Sequence, residues 1–153
     1  MPANQGMTGP YSRFDLGDTR EFVVGDVYYI RDELIAIPTI DRTTTARNMH
    51  PGRRVVVAHN NPLNADPTWP LIHVAPLSSR TDLIEATDII VSTDPADGDG
   101  VSVDSKIELA LVQPVLKKDL ERKTGALSRE KIAEMLALEQ DMLNGTLEEL
   151  AEE

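Results

Sequence analysis

The sequence reads RRVVVAHNNP over residues 53–62 and IHVAPLSSR over residues 72–80, and this stretch decides the fold. Both apolar runs are short, rich in β-branched residues and bounded by Asn, Pro or Ser, which is typical of buried strands. Two arginines enter the first run, and two serines and an arginine leave the second. If the two strands pair, an arginine and a hydroxyl meet at one edge of the sheet.

Apolar runs on both sides of this stretch predict further strands. They cover residues 22–30, continuing into 34–38, then residues 84–92 and 101–115, where apolar and polar positions alternate at 107–111. Lys117 to Leu120 is consistent with a single helical turn, which Gly125 interrupts. The sequence therefore predicts a mainly β domain of about five to seven strands, antiparallel in the main.

A helix is predicted after Ser128, a favoured N-cap residue, with Glu130 in the first turn, where the positive helix end favours an acid. Asn144 and Gly145 supply the stop. One apolar face is expected to cover the sheet; its members are Ile132, Met135, Leu136, Met142 and Leu143.

The length of 153 residues predicts one domain, with 21–145 as its folded part. Residues 1–20 are rich in Gly and Pro and predict a flexible arm, and residues 146–153 form an acidic tail. There is no cysteine, which excludes a disulfide framework and favours a cytoplasmic protein. No signal-peptide pattern and no long apolar run are found, so no membrane partner is expected.

Four aspartates at 94, 97, 99 and 104 raise the question of a calcium site. The loop lacks the glutamate that closes an EF-hand and has no predicted helices around it, so a solvated turn is favoured. We expect neither a metal nor another cofactor.

Charge is distributed unevenly along the chain. The net charge is -11, but residues 1–80 hold eight arginines against eight acids and are neutral, while residues 81–153 hold eighteen acids and seven bases. Residues 42–54 contain four arginines and no acid, within a loop at 39–52 that is long for a compact domain. This cluster is either a basic patch for a phosphate backbone or a solvated loop, and the sequence leaves both interpretations open.

Two histidines are alternatives for acid–base chemistry, because an unperturbed imidazole titrates near neutral pH. His59 follows the first strand and could reach a groove. His73 lies inside an apolar run, where a core position is the simpler interpretation.

Three motifs in this order resemble the MazF/PemK family of toxins. GDVY at residues 25–28 is similar to the family's opening strand, GRRVVV at 52–57 to its arginine-led strand, and VAPLSS at 74–79 to the strand that closes on Thr or Ser. A weaker similarity runs from Asp104 through Leu120 and Gly125 into the closing helix. The resemblance covers residues 22–143 and implies a small SH3-like β-barrel with a C-terminal α-helix.

The resemblance also implies a function. It implies a type II toxin, an endoribonuclease that cleaves single-stranded RNA without metal, acts as a homodimer and is neutralised by an antitoxin peptide. It implies that Arg53 and Ser78 are catalytic, since an arginine and a hydroxyl can stabilise charge on a phosphate that a ribose 2′-hydroxyl attacks. RNA contacts are expected from neighbouring residues of the same elements, namely Arg42, Arg47, Arg54, His59, Ser79 and Arg80.

The sequence departs from the family pattern at two places. Arg54 stands where the family has proline, so Arg53 and Arg54 are alternatives for the catalytic arginine. Residues 110–113 read ALVQ where the family often has Glu-Gln-x-Arg. The alternative function is therefore a catalytically silent relative, or a relative of the gyrase-directed toxins of this fold, that binds a protein or nucleic acid.

Overall fold

The computed structural model describes residues 17–37, 51–92, 101 and 103–145. Seven strands form one antiparallel sheet that curls into a half-barrel in the order β4-β5-β3-β2-β1-β7, with β6 also paired to β3. One helix, α1, closes the chain at Arg129–Asn144. The strands are β1 Asp26–Ile30, β2 Arg53–Val57, β3 Leu71–Ser78, β4 Asp88–Val91, β5 Ser105–Glu108, β6 Gln113–Leu116 and β7 Arg122–Ala126.

The stretch at residues 53–80 forms the centre of this sheet, as its sequence predicts. β2 lies between β1 and β3, and β3 pairs with β2 along one side and with β6 and then β5 along the other. Val55 pairs with Pro76, and Val57 with Val74. Because β3 contacts three strands, it joins the two halves of the curled sheet.

Both faces of the sheet are buried, which explains why β2 reads as a continuous apolar run. One face packs on an inner cluster that includes Ile30, Val55, Ile72, Val74 and Leu120. The other packs on a helix-side cluster that includes Val56, Ala75, Leu77, Ile107 and Met135. Successive residues of β2 and β3 alternate between these clusters, as the pleat of a strand requires.

The helix has the capping chemistry that its sequence predicts. Ser128 Oγ accepts a hydrogen bond from the Lys131 N–H at 3.2 Å, and Gly145 ends the helix in the left-handed conformation at φ 75°. Met135 is fully buried, and Ile132 and Met142 pack against the helix-side cluster. The prediction for Leu143 is wrong: its side chain is 82% exposed, whereas the neighbouring Met142 packs against the cluster.

Gly25 and Asp26, the start of the GDVY motif, form the turn that leads into β1. Gly25 has φ 90°, and a Cβ there would meet the Ile132 side chain, so glycine is needed for both the backbone and the helix packing. Asp26 Oδ2 accepts from the Val23 N–H at 3.1 Å, and Oδ1 lies 3.2 Å from Lys123 Nζ on β7. The motif thus fixes the junction of β1, β7 and α1.

Three local predictions differ from the structure. Residues 34–37 are not a strand, because a short 3-10 helix at Asp32–Leu34 turns the chain first. The alternating run at 107–111 is interrupted by a 3-10 helix at Leu109–Leu111, which separates β5 from β6. β7 was not predicted, because it contains only small and charged side chains and takes its pairing from β1. The helical turn at Lys117–Asp119 is confirmed.

Several predicted segments lie outside the described residues, namely most of the N-terminal arm, most of the 39–52 loop, the aspartate loop at 93–100 and the acidic tail. The described end of the arm is anchored. Arg20 donates hydrogen bonds to the carbonyls of Leu120 at 2.7 Å and Lys117 at 2.9 Å and forms a 2.7 Å ion pair with Asp18.

Candidate active site

Arg53 and Ser78 lie on the same face of the sheet, at the same end. Continuing the β2–β3 register by two residues places Arg53 opposite Ser78. Both positions belong to the face that carries Val55 and Val74 in the inner cluster. The structure therefore brings together the arginine and the hydroxyl that the sequence analysis paired.

The Arg53 guanidinium is held in place by two contacts beneath the sheet end. Its Nε donates to Asp32 Oδ1 at 2.7 Å, and its Nη1 donates to the Leu77 carbonyl at 3.0 Å. Asp32 is fully buried, whereas the Arg53 side chain keeps 16% exposure. Among the described residues Nη2 has no hydrogen-bond partner, so the outer edge of the fork is available to an anion.

Ser78 is half-buried at the last position of β3. Its Oγ accepts a hydrogen bond from the Arg80 N–H at 3.2 Å. A hydroxyl that accepts from the backbone in this way still has its own proton to donate. The contact orients the Ser78 hydroxyl while preserving its donor.

Two further charged residues complete this face on β5. Lys106 pairs directly with Ser78 and is 6% exposed; its Nζ donates to the Leu83 carbonyl and lies 3.3 Å from Asp88 Oδ2. Glu108, two residues on, is half-buried. Burial raises the pKa of Glu108, and Asp88 raises it further, while Lys106 and Arg53 lower it.

Arg54 lies on the opposite face from Arg53. Arg54 pairs with Tyr29 of β1. The Arg122 guanidinium lies over the Tyr29 ring, 4.3 Å from the ring centroid. Gly52 packs on the same ring so closely that a Cβ there would overlap it. Since Ser78 faces the other way, Arg53 is the arginine that shares its face.

Ser79 and Arg80 are exposed beyond the end of β3. The Arg80 guanidinium binds Asp82 through two hydrogen bonds, of 3.0 and 3.1 Å. This pairing lowers the pKa of Asp82 and raises that of Arg80. Both residues lie at the rim of the Arg53–Ser78 face and stay predictions as RNA contacts.

His59 lies at the other end of β2. Arg53 opens β2 and His59 lies two residues past its last residue, so the chain between them would span about 20 Å if fully extended. Its ring stacks on His73 at 4.6 Å between centroids, and its Nε2 lies 4.0 Å from Glu139 Oε1 on α1. Burial and the neighbouring His73 lower the pKa of His59, and burial raises that of Glu139 to about 7. His59 and Arg53 therefore lie at opposite ends of β2, and the predicted RNA contact of His59 stays a prediction.

Arg42 and Arg47 lie outside the described residues, so their predicted RNA contacts stay predictions. The sequence analysis missed Asp32, Lys106 and Glu108. A signal for the last two was present, because a strand of sequence SKIE with two charges on one face is unusual for a core element. Asp32 carried no such signal, since its burial depends on the 3-10 helix.

Comparison with protein-family models gives a match over residues 33–141 to the family described as PemK-like, MazF-like toxin of type II toxin-antitoxin system. This match covers most of the chain. The chain belongs to the PemK/MazF toxin family. Comparison with curated proteins finds no match. The predicted family and the predicted fold are confirmed.

Two solved structures share the fold. The Mycobacterium tuberculosis toxin MazF-mt6 is 18% identical, with a TM-score of 0.51 over 73% of this chain and 88% of that one. A mycobacterial endoribonuclease in complex with its cognate antitoxin is 13% identical, with a TM-score of 0.50 over 76% of this chain and 88% of that one. No helix in the described part of the PemK/MazF chain is both long and apolar enough to cross a membrane.

Proposed function

We propose that this PemK/MazF toxin is an endoribonuclease that cleaves single-stranded RNA at the face formed by Arg53 and Ser78. The observation that carries the proposal is the register of β2 and β3, which aligns an oriented arginine with an oriented hydroxyl at an open strand end. Membership of the PemK/MazF family supports a role as a toxin, and the side chains of Arg53 and Ser78 support the cleavage chemistry.

The reaction that suits this site uses a nucleophile within the substrate. The 2′-oxygen of a ribose attacks the adjacent phosphorus, the bond from phosphorus to the 5′-oxygen breaks, and a 2′,3′-cyclic phosphate and a 5′-hydroxyl result. Negative charge builds on the non-bridging oxygens during attack. Nη2 of Arg53 and the Ser78 hydroxyl are the donors that would stabilise it.

The pair between Arg53 and Asp32 contributes preorganisation. A buried carboxylate and a backbone carbonyl fix two edges of the guanidinium, so the third is presented without loss of rotamer freedom at the moment of reaction. The cost is that part of the positive charge is already neutralised. This second consequence supports the alternative function, a catalytically silent relative that binds a partner through the same face.

We further propose an antitoxin peptide as the protein partner, a homodimer as the assembly and the cytoplasm as the place of action. Support for the antitoxin comes from the family description and from the mycobacterial relative solved with its antitoxin. Sedimentation of the purified chain tests the dimer, and a stable 16.9 kDa monomer at micromolar concentration contradicts it.

Cleavage of a mixed-sequence single-stranded RNA in EDTA tests the activity. We expect fragments with 2′,3′-cyclic phosphate and 5′-hydroxyl ends. Removing one donor to the developing charge costs roughly 100- to 1,000-fold in rate, so Ser78→Ala should be that much slower. Ser92→Ala is the matched control, because it removes an exposed hydroxyl just past the end of β4, outside the residues expected to contact RNA.

The outcomes separate the two functions. An RNA pool left intact by the wild-type chain, with specific binding retained, supports the silent relative. Cleavage that requires an added divalent ion contradicts the mechanism.

A further inference from the structure

Carboxylates at the Arg53–Ser78 end of the sheet differ in what they contact. Asp32 is fully buried and bound to Arg53. Asp88 has 4% side-chain exposure, and its Oδ2 accepts from the Glu85 N–H at 2.9 Å and lies 3.3 Å from Lys106 Nζ. The Glu108 side chain, by contrast, is half-buried, and its carboxylate makes no hydrogen bond or ion pair with any residue in the described part of the chain.

The register places Glu108 beside the reacting groups. β5 pairs Leu77 with Ile107 and Ser78 with Lys106, so Glu108 lies opposite Pro76 and on the same face as Ser78. Glu108 is thus the diagonal neighbour of Ser78, at a Cα separation of about 7–8 Å. A glutamate side chain spans much of that distance, so a Glu108 carboxylate is within reach of a phosphate bound at Ser78.

We propose that Glu108 is the general base that accepts the 2′-hydroxyl proton in the RNA cleavage proposed above, on which this inference rests. The proton passes from the 2′-oxygen to a Glu108 oxygen as the bond from the 2′-oxygen to phosphorus forms. The 5′-oxygen leaves with the electron pair of its bond to phosphorus and takes a proton from water. Glu108 then returns its proton to solvent.

The electrostatic setting suits this role. Four groups face Glu108: Arg53 from β2, Ser78 from β3, Lys106 from its own strand and Asp88 from β4. Burial and Asp88 raise the pKa of Glu108 against the opposing effect of the two cations. A carboxylate with a raised pKa is a stronger base than an ordinary glutamate. Lys106, whose Nζ lies 3.3 Å from Asp88 Oδ2, offsets part of the repulsion between Asp88 and Glu108.

The test uses single-turnover cleavage of the mixed-sequence RNA across pH 4–9 by the full chain. General acid–base catalysis contributes roughly 100- to 10,000-fold, so Glu108→Gln should be slower by that factor. For the wild-type chain the rate should rise about tenfold per pH unit on the acid side and then level, and Glu108→Gln should lose this rise. Binding of 2′-O-methyl RNA, which cannot react, should be unchanged.

Glu85→Gln is the matched control, because Glu85 is an exposed glutamate in the turn before β4. It should keep both the rate and the pH profile. Glu108→Asp, which keeps the carboxylate but shortens it, should be slower and retain the acid-side rise. If Glu108→Gln does not fold, Glu108→Asp is the variant that tests whether Glu108 is the base.

Other outcomes overturn the inference. If the wild-type chain cuts RNA and Glu108→Gln keeps its rate or its acid-side rise, Glu108 is not the base, and the proposed function stands. If a substrate with sulfur at the 5′-bridging position restores Glu108→Gln to the wild-type rate, Glu108 acts on the leaving group instead. If the wild-type chain cuts no RNA, the proposed function and this inference both fail.

Discussion

The polar clusters at the two ends of strands β2 and β3 differ in how their buried ionisable groups are accommodated. The arginine end, comprising Arg53, Asp32, Lys106, Asp88 and Glu108, keeps buried charges and pairs most of them.

The histidine end comprises His59, His73 and Glu139. Here burial favours the neutral forms, lowering the pKa of His59 and raising that of Glu139 to about 7.

The difference shows that burial alone does not decide whether a side chain is charged. The attraction within an ion pair offsets the free energy of desolvating its two members only when the geometry is good, as it is at 2.7 Å between Arg53 and Asp32. At the histidine end, His59 Nε2 and Glu139 Oε1 are 4.0 Å apart, which is too far for a comparable attraction to offset desolvation. The arginine end is therefore suited to holding an anion, and the histidine end is suited to packing.

The largest expected effect is on stability at the arginine end. Arg53→Ala removes the arginine that forms a 2.7 Å ion pair with the fully buried Asp32, and removing one member of a buried pair costs roughly 3–5 kcal/mol. Urea denaturation of Arg53→Ala, Asp32→Asn and the double variant measures this. We expect the double variant to recover most of the loss, and an additive pair of losses contradicts the coupling.

Catalysis at the arginine end should be the next most sensitive property. Arg53→Lys keeps a positive charge near Asp32 but removes the planar fork, so cleavage should fall by roughly 100-fold while the chain stays folded. Arg31→Lys, at an exposed arginine paired with Glu33 at 3.2 Å, is the control. Equal activity of both variants would show that only the charge of Arg53 is used.

At the histidine end, Glu139 should make stability depend on pH. Its pKa is raised from 4.5 to about 7 in the folded chain, so its stabilising effect is complete below pH 4.5 and is lost as pH rises through 7. Glu139→Gln should therefore be more stable than the wild-type chain at pH 8, by roughly 1–2 kcal/mol after allowance for solvent screening. At pH 4 the two should unfold alike. A benefit that is equal at both pH values would exclude titration as its cause.

The smallest expected effect concerns the histidine stack. Aromatic pairs contribute about 0.5–1.5 kcal/mol beyond the area they bury, so His59→Ala should lower the free energy of unfolding by about that amount. Cleavage at saturating RNA should be unaltered, because His59 and Arg53 lie at opposite ends of β2. A slower chemical step in this variant would contradict the separation of the two ends.

Much of the fold was predictable because local patterns specify it. The β-branched runs of β2 and β3, the GDVY turn and the Ser128 and Gly145 caps all act through neighbouring residues, and all were found as predicted. β7 was not, because its residues form a strand only through pairing with β1. The same limit applies to Leu143, because the spacing along the helix does not specify that Met142 packs on the cluster and Leu143 does not.

The sequence by itself determined the family, the central strand pair and the candidates Arg53 and Ser78, since each rests on residue types at fixed spacing along the chain. Only the tertiary structure decided that Arg53, and not Arg54, faces Ser78, because a strand turns alternate side chains to opposite faces and the register sets which. The tertiary structure also decided which residues lie next to Arg53. Asp32 and Glu108 lie 21 and 55 residues away in sequence, and only folding places one beneath the guanidinium and the other on its face.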